Sequence, residues 1–109
     1  MRPRELVKEI VLRHIEERPR RISLKLHFDE ERSTITIEGD AKRVIEIPQA
    51  IDFTSFGYGV VDAYREACGE LEVVPISFRD EIYRNDKVSL LLHPTGSAGV
   101  FDVFVEYRR

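Results

Sequence analysis

From Phe53 to Leu71 the apolar residues Phe53, Phe56, Val60, Tyr64, Ala67 and Leu71 recur at three- and four-residue spacing. That period lays them along one stripe of a helix, with Gly57, Val61 and Cys68 beside the stripe and Asp62, Arg65, Glu66 and Glu70 away from it. The pattern predicts a central helix capped by Asp52, Thr54 or Ser55 and ended by Gly69. Gly57 falls on the buried side, where it would let a strand approach closely. Gly59 falls on the outer side, where alanine is expected to be neutral or slightly stabilising.

A second helical pattern precedes it. Leu6, Val7, Ile10, Val11 and Ile15 share one face of a helix running from Pro3 to about Glu17, which Pro19 brings to an end. His14 falls in the middle of that face and Leu12 opposite it. Between the helices the period changes to two. Ile22, Leu24, Leu26 and Phe28 alternate with Ser23, Lys25, His27 and Asp29, and the chain turns at 29–32 into Thr34–Glu38. Val44–Ile47 makes a third short strand before Pro48. After the central helix, Val73–Phe78 reads as a strand that Pro75 places at an edge or a strand start. Asp80–Asp86 fits a loop, a helical turn or a short strand, with Asn85-Asp86 as the bend. Val88–His93 and Val100–Tyr107 form a hairpin around the small-residue loop from Pro94 to Gly99. The expected fold is one α+β domain over residues 1–109: a mostly antiparallel sheet of five to six strands with two helices on one face.

The last hairpin holds more apolar residues than one buried face uses. Pairing His93 with Val100 sets Leu92 opposite Phe101, Leu90 opposite Val103 and Val88 opposite Val105 on the covered side. The other side then carries Leu91, Val100 and Phe104 among Ser89, His93, Asp102 and Glu106. An antiparallel sheet covered on one face should be polar on the other, as Ser23, Lys25, His27, Thr34 and Thr36 are in the first hairpin. Either Asp80–Asp86 folds over the extra apolar residues, or they form a patch for a partner or a second copy of the chain.

Composition narrows the function classes. A chain of 109 residues is the size of one domain, and 42% apolar with 34% charged residues is a globular composition. No apolar run approaches the ~20 residues of a membrane span, and no apolar signal core follows Met1, so a cytoplasmic protein is expected. Cys68 is the only cysteine, which excludes an internal disulfide and fits a reducing compartment. Net charge is -3: residues 1–21 hold seven Arg or Lys against four Glu, the remainder ten against sixteen acids. Nucleic-acid binding would need Arg18, Arg20, Arg21, Arg108 and Arg109 to gather where the termini meet, and no aromatics are interleaved with them.

Catalytic signatures are weak throughout. His14, His27 and His93 share no metal-ligand spacing, and neither Cys68 nor Ser97 lies in a nucleophile motif. Phe56-Gly57-Tyr58-Gly59 lacks the strand-loop-helix context of a phosphate-binding loop. No cofactor or metal is expected. One acid-base constellation merits a check: His27 and His93 with Asp102 or Glu38, should their strands be neighbours. The reading is a non-catalytic protein-binding module whose candidate interface is Leu91, Val100, Phe104, His93 and Asp102. Its partner would be another protein or a second copy of the chain. Small acidic α+β proteins of this outline look like bacterial toxin-neutralising immunity proteins or adaptor subunits, a likeness of topology carried by no residue motif. The alternatives are a small enzyme or ligand-binding domain using His27, His93 and Asp102 on the open sheet face, and then a nucleic-acid module.

Overall fold

The computed structural model describes residues 2–15, 21–39, 41–77, 80–95 and 100–108. The sequence-predicted ends of the first helix at Glu17 and of the fourth strand at Phe78 lie outside them, as do Arg18, Arg20, Arg109 and the loop residues 96–99 with Ser97. Two helices, α1 (Pro3–Ile15) and α2 (Phe53–Cys68), accompany seven strands: β1 (Arg21–Phe28), β2 (Ser33–Glu38), β3 (Lys42–Ile47), β4 (Glu72–Pro75), β5 (Glu81–Arg84), β6 (Val88–Pro94) and β7 (Val100–Tyr107). All neighbouring strands are antiparallel, in the order β3-β2-β1-β7-β6-β5-β4. The first and last strands therefore meet mid-sheet, and α2 carries the chain from one edge strand, β3, to the other, β4. Asp52 caps α2 through a bond from the Ser55 amide, and Gly69 ends it at φ 90°, a left-handed backbone that favours glycine.

One sheet face is the floor of the core. Ile22, Leu24, Leu26, Ile35, Ile37, Leu90, Leu92, Val103 and Val105 are buried on it and join one cluster with Val7 and Val11 of α1 and Phe56, Val60 and Tyr64 of α2. The rings of Phe28, Phe53, Phe56 and Phe101 seat the start of α2 on this floor, and Tyr64 and Tyr107 share a 3.0 Å hydroxyl contact further along. The molecule is 24 Å along its thinnest axis, which accommodates one layer of sheet and one of helix. Two side-chain ties hold the connections in place. Ser33 Oγ accepts the Ile51 amide at 2.7 Å in the interior. Asn85 donates to the Cys68 and Glu70 carbonyls at 3.0 and 3.1 Å and accepts from the Lys87 and Val88 amides. It thus clamps the end of α2 to the β5–β6 turn.

Four expectations are corrected. The sheet has seven strands, not five to six, because Glu81–Arg84 pairs with β6 on one side and with β4 on the other. Being a strand of the sheet, this segment does not fold over it. The last hairpin is shifted by two residues, so that His93 pairs with Asp102, Leu92 with Val103 and Leu90 with Val105. A two-residue shift leaves every side chain on its expected face. Gly59 is buried rather than outward, since α1 packs across it: a Cβ there would lie 2.7 Å from Val7 Cβ. Leu12 is partly buried against the core rather than turned away from it.

Candidate functional site

Neither helix covers the opposite sheet face, and strand register sets its residues in rows. Val74 on β4 faces Ile82 on β5, Ile82 faces Leu91 on β6, and Leu91 faces Phe104 on β7. The row continues to Ser23 on β1 and Glu38 on β2. Four successive strands thus put an apolar side chain into one line across the sheet. Val74, Ile82 and Leu91 are half-buried, while Phe104 at the end of the line is 43% exposed. A groove of about 620 Å³ crosses this part of the face, with Ile82 at its β5 end, Leu91, Phe104 and Glu106 between, and Ser23 and Glu38 at its β1–β2 end. Among the described residues its charged lining groups are the two glutamates; register sets Arg21 opposite Glu106 and Lys42 opposite Glu38.

The next row along the strands is polar. His93 faces Asp102, Asp102 faces Lys25, and Lys25 faces Thr36. Asp80 Oδ1 lies 2.8 Å from His93 Nδ1, and Lys25 Nζ lies 3.8 Å from Asp102 Oδ1. On the far side of the apolar row Arg84 approaches Glu72 at 4.0 Å. Charged pairs therefore border the apolar row on both flanks, an apolar centre with a polar margin.

The sequence-predicted candidates separate into two groups. Leu91 and Phe104 are direct cross-strand neighbours, and so are His93 and Asp102. Val100 lies on the same face opposite His27, away from the Leu91–Phe104 pair. The acid-base constellation is only partly assembled: Asp102 meets His93, but His27 faces Val100 and Thr34, and Glu38 lies four residues along β2 from Thr34. Asp80, the carboxylate that bonds His93, went unrecognised because it comes from the β4–β5 turn. Val74 and Ile82 were missed as well. The signal for Ile82 was the alternation Glu81-Ile82-Tyr83-Arg84, too short to distinguish from a loop without its neighbours.

A smaller cleft of about 140 Å³ lies on the helix side, between Phe53, Gly57 and Tyr58 of α2 and Glu81, Tyr83 and Phe101 of the sheet. Tyr83 bonds Glu81 at 2.9 Å there; burial first, and then the adjacent carboxylate, push its hydroxyl up to about 12. The cleft falls below the ~300 Å³ at which small-molecule sites begin. Among the described residues no three His, Cys, Asp or Glu side chains gather to hold a metal ion, and no helix is long and apolar enough to cross a membrane. Compared with known proteins, the chain matches no family model, and neither curated proteins nor solved structures give a significant match. Any reading of the site rests on its geometry.

Proposed function

We propose that the protein is a non-catalytic binding module that docks another protein on the uncovered face of its sheet, in the manner of an adaptor or a toxin-neutralising subunit. The observation that carries this reading is the apolar row Val74–Ile82–Leu91–Phe104, side by side on four strands with no helix over it. A face used only for solvation needs no such row, since an antiparallel sheet with one dry side is polar on the other. Completing the burial of these four side chains contributes on the order of 1 kcal/mol each. That total is comparable to the low end of the cost of association, so contacts at the charged margin must add to it.

The experiment is Phe104→Ser, read by capture from the source cells, by sedimentation with the captured protein and by a melting curve. Association should be lost while the melting temperature shifts by a few degrees at most, because a side chain 43% exposed in the free protein contributes little to its folding. A large fall in melting temperature with association intact overturns the reading.

A second reading, a small enzyme or ligand-binding domain, is favoured by one observation: His93 is held by Asp80 at 2.8 Å and stands opposite Asp102 on an open face. A histidine held by one carboxylate beside another is the geometry of a general base. His93 lines neither the cleft nor the groove described above.

A further inference from the structure

We infer that the free edge of β3 is a surface for a second copy of the chain, paired antiparallel across a two-fold axis through Val44 so that the two sheets run on as one. The inference is independent of what docks on the uncovered face. Three features of the edge lead to it.

The first is an open backbone. β3 begins the sheet, and among the described residues β2 is its only strand neighbour. The Gly39 amide donates to the Ala41 carbonyl at 3.1 Å, which turns residue 41 toward β2. Backbone directions alternate along a strand, so Arg43, Ile45 and Ile47 bond β2, whereas Lys42, Val44 and Glu46 aim their amides and carbonyls at the open edge. The opposite edge offers less. There β4 is four residues long and ends in Pro75, which has no amide to give.

The second is the order of side chains. Register places Lys42, Val44 and Glu46 on the uncovered face, opposite Glu38, Thr36 and Thr34. Charge guards an edge strand against chance pairing, yet the middle of this one is Val44, 56% exposed, with opposite charges two residues to either side. That order is self-complementary. An isologous contact sets residue i against j and j against i. An axis through Val44, normal to the sheet, keeps the two uncovered faces level, sets Val44 against Val44 and sets each Lys42 against the other copy's Glu46. These are the residues whose backbone groups point outward, so each pair exchanges amide and carbonyl bonds. A slip of two residues either way puts Val44 against Glu46 or Lys42 and breaks both ion pairs. On the helix side the same register lets the stem of Arg43 cover the second copy's Ile45.

The third is the state of the charges in one copy. Among the described residues Glu46 makes no ion pair, although Arg32 lines the same hollow beside it. Lys42 reaches Glu38 at 3.9 Å, with both side chains well exposed, and an ammonium has three donors. In the pairing it stands between Glu38 and the second copy's Glu46.

The experiment is sedimentation velocity over a concentration series at low salt, with a melting curve for each sample. The parent should pass from monomer to dimer as concentration rises. Val44→Pro removes the outward amide at the axis and none of the bonds to β2, so it should stay monomeric and folded. Lys42→Glu and Glu46→Lys each set like charges opposite one another and should weaken self-association by roughly tenfold or more. Mixed together, these two variants set opposite charges at both positions and should associate about as well as the parent. Such a rescue comes neither from misfolding nor from another surface. A monomer at every concentration overturns the inference, as does a dimer that persists in Val44→Pro or a mixture no better associated than its components. A dimer that Phe104→Ser dissociates and Val44→Pro leaves intact gives the uncovered face to a second copy. That result overturns both this inference and the docking of a different protein there.

Discussion

Gly59 of α2 lies against Val7 of α1 with no room for a side chain between them: a Cβ at position 59 would come within 2.7 Å of Val7 Cβ and 2.8 Å of the Arg4 carbonyl oxygen. Neither neighbour is the tip of a flexible chain, so alanine can enter only if the helices separate. Gly57, on the sheet side of the same helix, faces Leu92 Cδ2 at 3.2 Å, a methyl group that can yield by a few tenths of an ångström.

Gly59→Ala should therefore destabilise the domain by about 2–3 kcal/mol, and Gly57→Ala should change it by less than about 1 kcal/mol. Urea denaturation of the two variants measures the contrast. Equal midpoints would contradict the helix contact.

Asn85 should be the costliest polar residue of the β5–β6 turn. Asn85→Asp keeps the acceptor for the Lys87 and Val88 amides and removes both donors to the end of α2. A loss of about 1–3 kcal/mol is expected. Amide exchange should also quicken in the last turn of α2, where the bond from Asn85 to the Cys68 carbonyl is lost.

Arg4 grips Asp62 through two guanidinium nitrogens, Nε and Nη2, the longer bond being 2.8 Å, and holds the carboxyl below the usual aspartate range. With the folded pKa below the unfolded value near ~4, the pair stabilises fully above pH ~4 and loses its effect as pH falls through the depressed folded value. Arg4 is half-exposed, which limits the contribution to about 1 kcal/mol or less. Asp62→Asn should thus be slightly less stable than the parent at pH 7, and urea midpoints should converge in acid.

His93→Ala should alter stability by less than about 1 kcal/mol, because the Asp80–His93 pair is solvent-exposed on the histidine side. A fall of more than ~10²-fold in any measured activity, with the fold intact, would turn the assignment toward the acid-base reading.

Periodicity and turn chemistry along the chain were sufficient to determine the body of α2, its end at Gly69 and which side of each long strand is buried, while the choice of Asp52 over Thr54 and Ser55 as its cap was left to the structure. Those properties follow from local geometry: a period of 3.6 or 2 assigns faces without reference to any other segment. The excess of apolar residues at Leu91 and Phe104 was legible for the same reason. The shift of the last hairpin was not, because a two-residue slip keeps every face and leaves the alternation unchanged.

Tertiary structure alone decided the remainder. One stripe of apolar residues describes one contact surface, so the second surface of α2, where Val7 crosses Gly59, has no periodic signature. Four residues hold too few alternations to declare β5 a strand; pairing with β4 and β6 makes it one and brings Ile82 and Val74 into line with Leu91 and Phe104. Joining β1 to β7 then sets Ser23 and Glu38 at the end of that line. Amphipathicity belongs to a segment and is written in its sequence, whereas a row across strands far apart in the chain exists only once strand order and register have placed them side by side.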